Sequence, residues 1–201
     1  MKKEINKGGL TRKDFLMATI TITAVLSLKK IGLFTQLKKP SFSYLRPPGT
    51  IDEGLFLDSC IRCRACANVC EAGCIEFFSL SDSIEKAGTP YVDSRSRACN
   101  LCMNCTQVCP TGALKPIERE LSSIKAEVRM GEAIVIEEHC FSFNGKICGV
   151  CKDACPVNAI TLDRARPTVI SSLCIGCGRC EERCPQTPTA IYVERKDLEY
   201  A

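Results

Sequence analysis

The sequence contains no tryptophan, only 6% aromatic residues and a single histidine, His139. Hydrophobic residues make up 45% of the chain, but many of these are cysteines, so few apolar side chains remain to build a core. A glycine fingerprint for a nucleotide, a flavin motif and a nucleophile–base set are all missing. These absences predict a chain with no catalytic site of its own and with a fold that depends on more than apolar burial.

Cysteine is what the sequence has in excess. There are 17 cysteines in 201 residues, about 8% of the chain. That density is typical of short secreted disulfide scaffolds, but this chain is longer than those usually are. A metal framework is therefore favoured, in which metal–ligand bonds supply much of the folding free energy. Little stable structure is expected without the metal.

Sixteen of the cysteines form four similar cassettes after Ile51. Three cassettes have the spacing C-x2-C-x2-C-x3-C, and the third widens its first gap to the seven residues between Cys140 and Cys148. The four cassettes are Cys60, Cys63, Cys66, Cys70; Cys99, Cys102, Cys105, Cys109; Cys140, Cys148, Cys151, Cys155; and Cys174, Cys177, Cys180, Cys184.

This spacing indicates iron–sulfur chemistry. Cysteines at i, i+3 and i+6 wrap a loop around one face of a cubane, and a fourth cysteine before proline ligates the other cluster of a pair. Proline follows Cys109, Cys155 and Cys184. Zinc sites usually separate two cysteine pairs by a longer stretch, and a disulfide framework gives no reason for the repeated prolines. We therefore predict four [4Fe–4S] clusters on the sixteen cysteines, with iron as the metal.

Three residues near the cassettes need separate interpretation. In cassette one Glu71 replaces the proline, and the seventeenth cysteine, Cys74, aligns with Ala113 and Ala159 of cassettes two and three. Cys74 is interpreted as a small buried residue against a cluster, with an exchange of ligands with Cys70 as the alternative. His139 is expected to lie outside the sites.

The cassettes are predicted to pair one with two and three with four. Apolar segments at 159–162 and 168–170 read as a hairpin that joins cassettes three and four, with further strands at 133–137 and 190–194. The competing topology pairs one with four and two with three. The preferred pairing gives the ligand sets Cys60, Cys63, Cys66 with Cys109; Cys70 with Cys99, Cys102, Cys105; Cys140, Cys148, Cys151 with Cys184; and Cys155 with Cys174, Cys177, Cys180.

The N-terminus has the features of a targeting segment. A basic region that ends at Lys13 precedes an uncharged run of 14 residues, 15–28, which as a helix rises about 21 Å, short of a hydrocarbon core of about 30 Å. Arg12-Lys13 before Phe15 and Leu16 resembles the twin-arginine (Tat) export motif with lysine in the second position. The alternatives are an uncleaved interfacial anchor, an ordinary signal peptide or a buried helix.

Charge is distributed unevenly along the chain. Ten Lys and Arg residues lie within 1–46, which leaves 17 basic and 21 acidic residues beyond, a net charge of −4 for the cysteine-rich body. An acidic body argues against a nucleic acid partner, because phosphates are neutralised by clustered Lys and Arg.

The chain resembles the ferredoxin-type accessory proteins of the NapG/MauM type, which serve periplasmic nitrate reduction and methylamine utilisation. The resemblance rests on the leader, the four cassettes and the third cassette, Cys140-FSFNGKI-Cys148-GV-Cys151-KDA-Cys155-Pro156. It implies a membrane-associated carrier on the periplasmic side, which accepts electrons from a quinol-oxidising membrane protein and passes them to a reductase or cytochrome. An iron–sulfur subunit of a molybdenum-type oxidoreductase and a soluble cytoplasmic polyferredoxin are the alternatives.

The expected fold class is α+β, with two ferredoxin-like modules after an N-terminal helix and short helices after the fourth cysteines. The expected organisation is a signal or anchor at 1–34, a linker at 35–49, module one at 50–118, a connector at 119–131 and module two at 132–201.

Overall fold

The computed structural model describes residues 44–50 and 52–195, which all belong to one compact unit. Within these residues the helices have four to seven residues and the strands three or four. In chain order the elements are α1 (Glu53–Ser59), α2 (Ala65–Asn68), β1 (Ile75–Phe77), β2 (Pro90–Val92), α3 (Asn104–Gln107), α4 (Leu121–Glu127), β3 (Glu132–Val135), a 3₁₀ turn (Glu137–His139), α5 (Val150–Ala154), β4 (Ile160–Asp163), β5 (Arg166–Val169), α6 (Arg179–Glu182) and β6 (Ile191–Glu194).

The strands form three separate antiparallel pairs, β1–β2, β3–β6 and β4–β5. The hairpin predicted between cassettes three and four is present as β4–β5, and Arg164 and Ala165 turn the chain with φ of 46° and 68°. Strand β6 pairs with β3, so that Val193 lies opposite Ala133 and the exit strand closes the second module. The pairs β1–β2 and β4–β5 each bring the exit of one cassette to the entry of the next, and β3–β6 brings the entry of cassette three to the exit of cassette four.

The helices do not lie where the sequence predicted them. They were expected after the fourth cysteines, but α2, α3, α5 and α6 each contain the third cysteine of a cassette. Only three residues separate the third and fourth cysteines, which leaves room for one turn. Gly73, Gly112 and Asn158, each three residues beyond a fourth cysteine, have φ of 59°, 71° and 57°, and this left-handed conformation prevents a following helix.

Part of the segment expected as a linker is packed into the body. Leu45 is fully buried and forms a β-bridge with Val92, with N···O distances of 3.4 and 2.8 Å between the two residues. Arg46 is buried as well; its guanidinium stacks over the Phe56 ring at 4.6 Å and donates to the Pro90 carbonyl at 2.6 Å. The described part of the segment, 44–49, is therefore a structural strap across the first module.

Glu53 is the ionic partner of this strap. It accepts from Arg46 Nε at 2.9 Å and also pairs with Arg195 at the other end of the described chain. Burial raises the pKa of Glu53, but the hydrogen bonds and charges of the two arginines outweigh this effect and lower the pKa to about 2. The carboxylate therefore stays ionised and links the two ends of the body.

The two expected modules share one apolar core. The connector contains α4, after which Val128 and Met130 are buried, and the Met130 N–H donates to the Ile175 carbonyl of cassette four at 3.0 Å. Gly131 lies so close to the Glu194 carbonyl oxygen that a Cβ would stand 2.5 Å from it. The connector therefore fills the space between the modules.

The expected Tat-like segment, 1–34, lies outside the described residues. Across 44–50 and 52–195, we find no helix with the length and apolar character that a membrane crossing requires.

Candidate iron–sulfur centres

Four sets of thiols come together, which we number sites 1 to 4. Site 1 consists of Cys60, Cys63, Cys66 and Cys109; site 2 of Cys70, Cys99, Cys102 and Cys105; site 3 of Cys140, Cys148, Cys151 and Cys184; and site 4 of Cys155, Cys174, Cys177 and Cys180.

Sites 1 and 3 are thiol-lined cavities with apolar walls. At site 1, the loop of cassette one and Cys109 of cassette two surround the space, and Phe77 and Leu114 close it. At site 3, Cys184 and Pro185 of cassette four face the loop of cassette three, with Phe141 and Ile191 as walls. Cys109 thus lies with cassette one and not with cassette three, which is the placement that pairing one with two requires.

At sites 2 and 4 the thiols are grouped because neighbouring thiols change one another's pKa values. Burial raises the pKa of Cys105, and the neighbouring thiols of Cys99, Cys102 and Cys70 raise it further. Burial likewise raises the pKa of Cys180, with further contributions from Cys177, Cys174 and Cys155. Each fourth cysteine is therefore close to the loop of its partner cassette.

Backbone N–H groups point at several sulfur atoms. Cys109 Sγ accepts from Leu114 N at 3.4 Å, Cys155 Sγ from Ala159 N at 3.2 Å and Cys184 Sγ from Ala190 N at 3.5 Å. Burial raises the pKa of Cys109 and of Cys184, but these donors outweigh it and lower both pKa values. Hydrogen bonds to ligand sulfurs stabilise negative charge and are one of the ways in which a protein tunes cluster potential.

Five loop cysteines have a raised pKa instead: Cys66, Cys105, Cys151, Cys177 and Cys180. Burial raises the pKa of Cys66 and Cys151 to about 11 and that of Cys177 to about 12. A buried thiolate is unfavourable unless a cation compensates it, and the iron of a cluster supplies such compensation. A set of four cysteine sulfurs contributed by two cassettes fits a [4Fe–4S] cluster.

Glu71 occupies the place where the other cassettes have proline. It accepts from Asn104 Nδ2 at 3.0 Å and Asn100 Nδ2 at 3.4 Å, and its carboxylate lies 3.5 Å from Arg119. The Glu71 side chain thus connects the end of cassette one with the loop of cassette two. Sequence reasoning noted the substitution but gave no signal for these partners.

His139 lies apart from the four sites, as a neighbour of the segment that follows cassette four. Its Nδ1 is 3.4 Å from the Thr189 carbonyl oxygen, and its own carbonyl accepts from Gln186 Nε2 at 2.6 Å. These contacts orient the turn that precedes Cys140.

Cys74 is buried at site 2 and is 3% exposed. Its Sγ lies 3.6 Å from Cys70 Sγ, and a hydrogen bond with Cys99 is the main reason why its pKa is raised, followed by burial. A thiol that remains protonated donates to neighbouring sulfurs but does not ligate iron. The structure therefore places five thiols at site 2, of which Cys74 is suited to be the donor.

Replacing Cys74 with alanine is expected to leave all the iron in place. Ala113 and Ala159 fill the equivalent positions in cassettes two and three, and both are buried, so an alanine fits there. Cys70→Ala is the matched variant and should lose about four iron atoms per chain, since it removes one of four ligands of a cubane. Iron and sulfide analysis measures both. Loss of a cluster in Cys74→Ala with Cys70→Ala unaffected would reverse the assignment.

Comparison with known proteins places these sites in a family context. A family model described as "4Fe-4S dicluster domain" matches residues 59–113 and 146–187. The ferredoxin-type protein NapG of Escherichia coli is 38% identical over 179 residues, which covers 81% of this chain and 75% of the relative. The methylamine utilization ferredoxin-type proteins MauM of Methylophilus methylotrophus and Paracoccus denitrificans are 37% and 32% identical, over 78% and 94% of this chain and 73% and 89% of theirs.

Proposed function

This chain belongs to the family of ferredoxin-type iron–sulfur electron-transfer proteins that includes NapG and MauM, and we propose that it transfers electrons through four [4Fe–4S] clusters, from a quinol-oxidising membrane protein to a periplasmic reductase or cytochrome. The observation that supports the proposal is that two cavities are each lined by three thiols of one cassette and the fourth thiol of the next, namely Cys60, Cys63, Cys66 with Cys109 and Cys140, Cys148, Cys151 with Cys184. In this proposal sites 1 to 4 each hold one cluster, and every cysteine except Cys74 is an iron ligand.

The polypeptide itself holds the clusters in place and tunes their reduction potentials. A bound [4Fe–4S] cluster supplies a one-electron couple. The cassette loops fix the sulfur positions, apolar side chains line sites 1 and 3, and the N–H groups of Leu114, Ala159 and Ala190 stabilise negative charge on sulfur. Proton transfer and substrate binding have no part in this function, so no catalytic residue is assigned.

Metal content tests the proposal directly. Anaerobically purified protein is expected to contain about 16 iron and about 16 acid-labile sulfide per chain, because each cubane takes four cysteines. In a chemical redox titration, the protein should take up four electrons reversibly. Folded protein that reproducibly holds about half as much iron, or zinc in its place, would contradict the four-cluster assignment.

The location on the periplasmic side rests on the leader sequence and on folding physics. Binding free energy at such sites is largely folding free energy, so a route that exports unfolded chain delivers an empty body. Arg12-Lys13 before a short apolar run suits the twin-arginine route, which carries folded cargo. The basic residues before the run are expected to stay cytoplasmic.

Changing Arg12 and Lys13 together to Gln is expected to trap cluster-loaded protein in the cytoplasm. Lys13→Arg, the matched control, should preserve or increase export because it restores the second arginine. Cell fractionation with iron analysis of each fraction measures the outcome. Arrival of the double variant in the periplasm, or a wholly cytoplasmic wild-type protein, would favour the soluble polyferredoxin instead.

A further inference from the structure

The two sites within each module lie side by side. Cys66 of site 1 lies on helix α2, and Cys105 of site 2 lies on helix α3. In the second module Cys151 of site 3 lies on helix α5, and Cys180 of site 4 lies on helix α6. Helix α2 packs against α3 and α5 against α6, so each of these four cysteines projects from a helix that contacts its counterpart.

The modules meet through one cassette from each. Cys99 N–H of site 2 donates to the Cys177 carbonyl of site 4 at 3.1 Å. Gly178 fits this junction because a Cβ would stand only 2.2 Å from Ser94 Cβ. Close backbone approach at this point requires glycine.

Buried polar groups hold the same junction together. Ser94 Oγ donates to Glu181 Oε2 at 2.6 Å, and that oxygen also accepts from Val193 N at 3.0 Å. Arg95 of the first module donates to three carbonyls of cassette four and its tail, those of Glu181, Cys184 and Gln186, at 2.7, 3.0 and 3.0 Å. A guanidinium on three carbonyls fixes orientation as well as distance. Sequence reasoning had no signal for these long-range partners.

From these contacts we propose that the clusters form one unbranched relay in the order site 1, site 2, site 4, site 3, with the Cys99–Cys177 contact as the step between modules. The order differs from the order of the cassettes in the chain. Sites 1 and 3 are then the ends, where electrons enter and leave. This inference rests on the proposed four-cluster function and specifies its internal path.

Exposure supports the same order independently. At site 2, Cys99, Cys102 and Cys105 are all buried, and at site 4 Cys177 and Cys180 are. At site 1, Cys63 is exposed and Ile61, next to Cys60, is 62% exposed, and at site 3 Ile147, next to Cys148, is 97% exposed. Sites 2 and 4 thus contain three and two buried cysteines, whereas sites 1 and 3 contain one each, Cys66 and Cys140.

Electron paramagnetic resonance of reduced protein tests the order through spin coupling between neighbouring clusters. Cys63→Ala with Cys148→Ala removes the end clusters and should leave a signal split by the interaction of sites 2 and 4. Cys102→Ala with Cys174→Ala, the matched pair, removes the inner clusters and should leave two unsplit signals from sites 1 and 3. The reverse pattern, or no splitting in the first variant, overturns the order.

Hydrogen exchange on fully loaded wild-type protein provides a second test if the double variants do not retain their clusters. The Cys99 amide should exchange slowly, since its hydrogen bond crosses the junction, and rapid exchange in the peptide around Cys99 would overturn the junction. Neither test depends on a redox partner. The two proposals can fail separately. If the signal is split as expected but the reduced protein passes fewer than four electrons to any acceptor, the proposed function is contradicted while the order of the sites stands.

Discussion

Removing the iron is expected to abolish the cooperative fold. The longest helices described have seven residues, and the sheets have two strands each. Helices shorter than about 12 residues and isolated two-stranded sheets are marginal in water, so these elements depend on tertiary contacts. The core cluster itself includes thiols such as Cys66, Cys99 and Cys180, which would line cavities without a cluster.

Chelation under anaerobic conditions, followed by far-ultraviolet circular dichroism and thermal melting, measures this effect. The native signal should fall in proportion to the iron removed, and the fully stripped chain should show no melting transition. Dithionite-reduced protein with its iron retained is the control and should keep its fold, because a change of one electron per cluster leaves the ligands in place. A stripped protein that still melts cooperatively would show that the polypeptide holds its fold alone.

Arg46→Met is expected to lower stability by about 2–3 kcal/mol, because it leaves a partly buried carboxylate without its main partner. Arg46 is 3% exposed and donates to Glu53, to Thr89 Oγ1 at 2.9 Å and to the Pro90 carbonyl. Methionine keeps much of the side-chain volume, so the loss reports on charge and hydrogen bonds. Guanidinium titration of loaded protein, followed by the visible iron–sulfur absorbance, gives the shift in midpoint.

Arg119→Met is the matched control for this variant. Arg119 also faces a glutamate, Glu71, but its side chain is 65% exposed and the contact is 3.5 Å long. Exposed ion pairs contribute about 1 kcal/mol or less, so its midpoint should barely move. Equal shifts in the two variants would show that the strap at 44–49 does not stabilise the body.

Local patterns in the sequence predicted the chemistry well. Within a cassette most neighbouring cysteines are only three or four positions apart, so the spacing can be read directly from the sequence. The hairpin between cassettes three and four depends on a short turn and can be predicted in the same way. The family resemblance rests on the same local features and is confirmed by the relatives. The helix positions were wrong because four-residue helices follow from the ligand loop and not from periodicity.

Long-range contacts could not be predicted. Ser94 and Glu181 are 87 residues apart, and both are ordinary polar residues without a motif. The strap was misread because Pro47-Pro48-Gly49 indicates irregular backbone, and irregular backbone can be buried when its polar groups find partners, as they do at Val92 and Lys115. The local cysteine pattern therefore predicts the iron–sulfur chemistry, whereas the contacts between the modules come only from tertiary packing.

The shared carboxylate of Glu53 also holds two residues close together that are far apart in the sequence, Arg46 and Arg195. Arg46, close to where the described chain begins, and Arg195, where it ends, bind the two oxygens of one side chain. Ends that lie this close suit circular permutation. The body could be rejoined there through a short linker and reopened in the exposed turn around Leu80 and Ile84, which are 74% and 85% exposed. Such a permutant would carry the cassettes in the order two, three, four, one and would separate the strap from the residues that precede it.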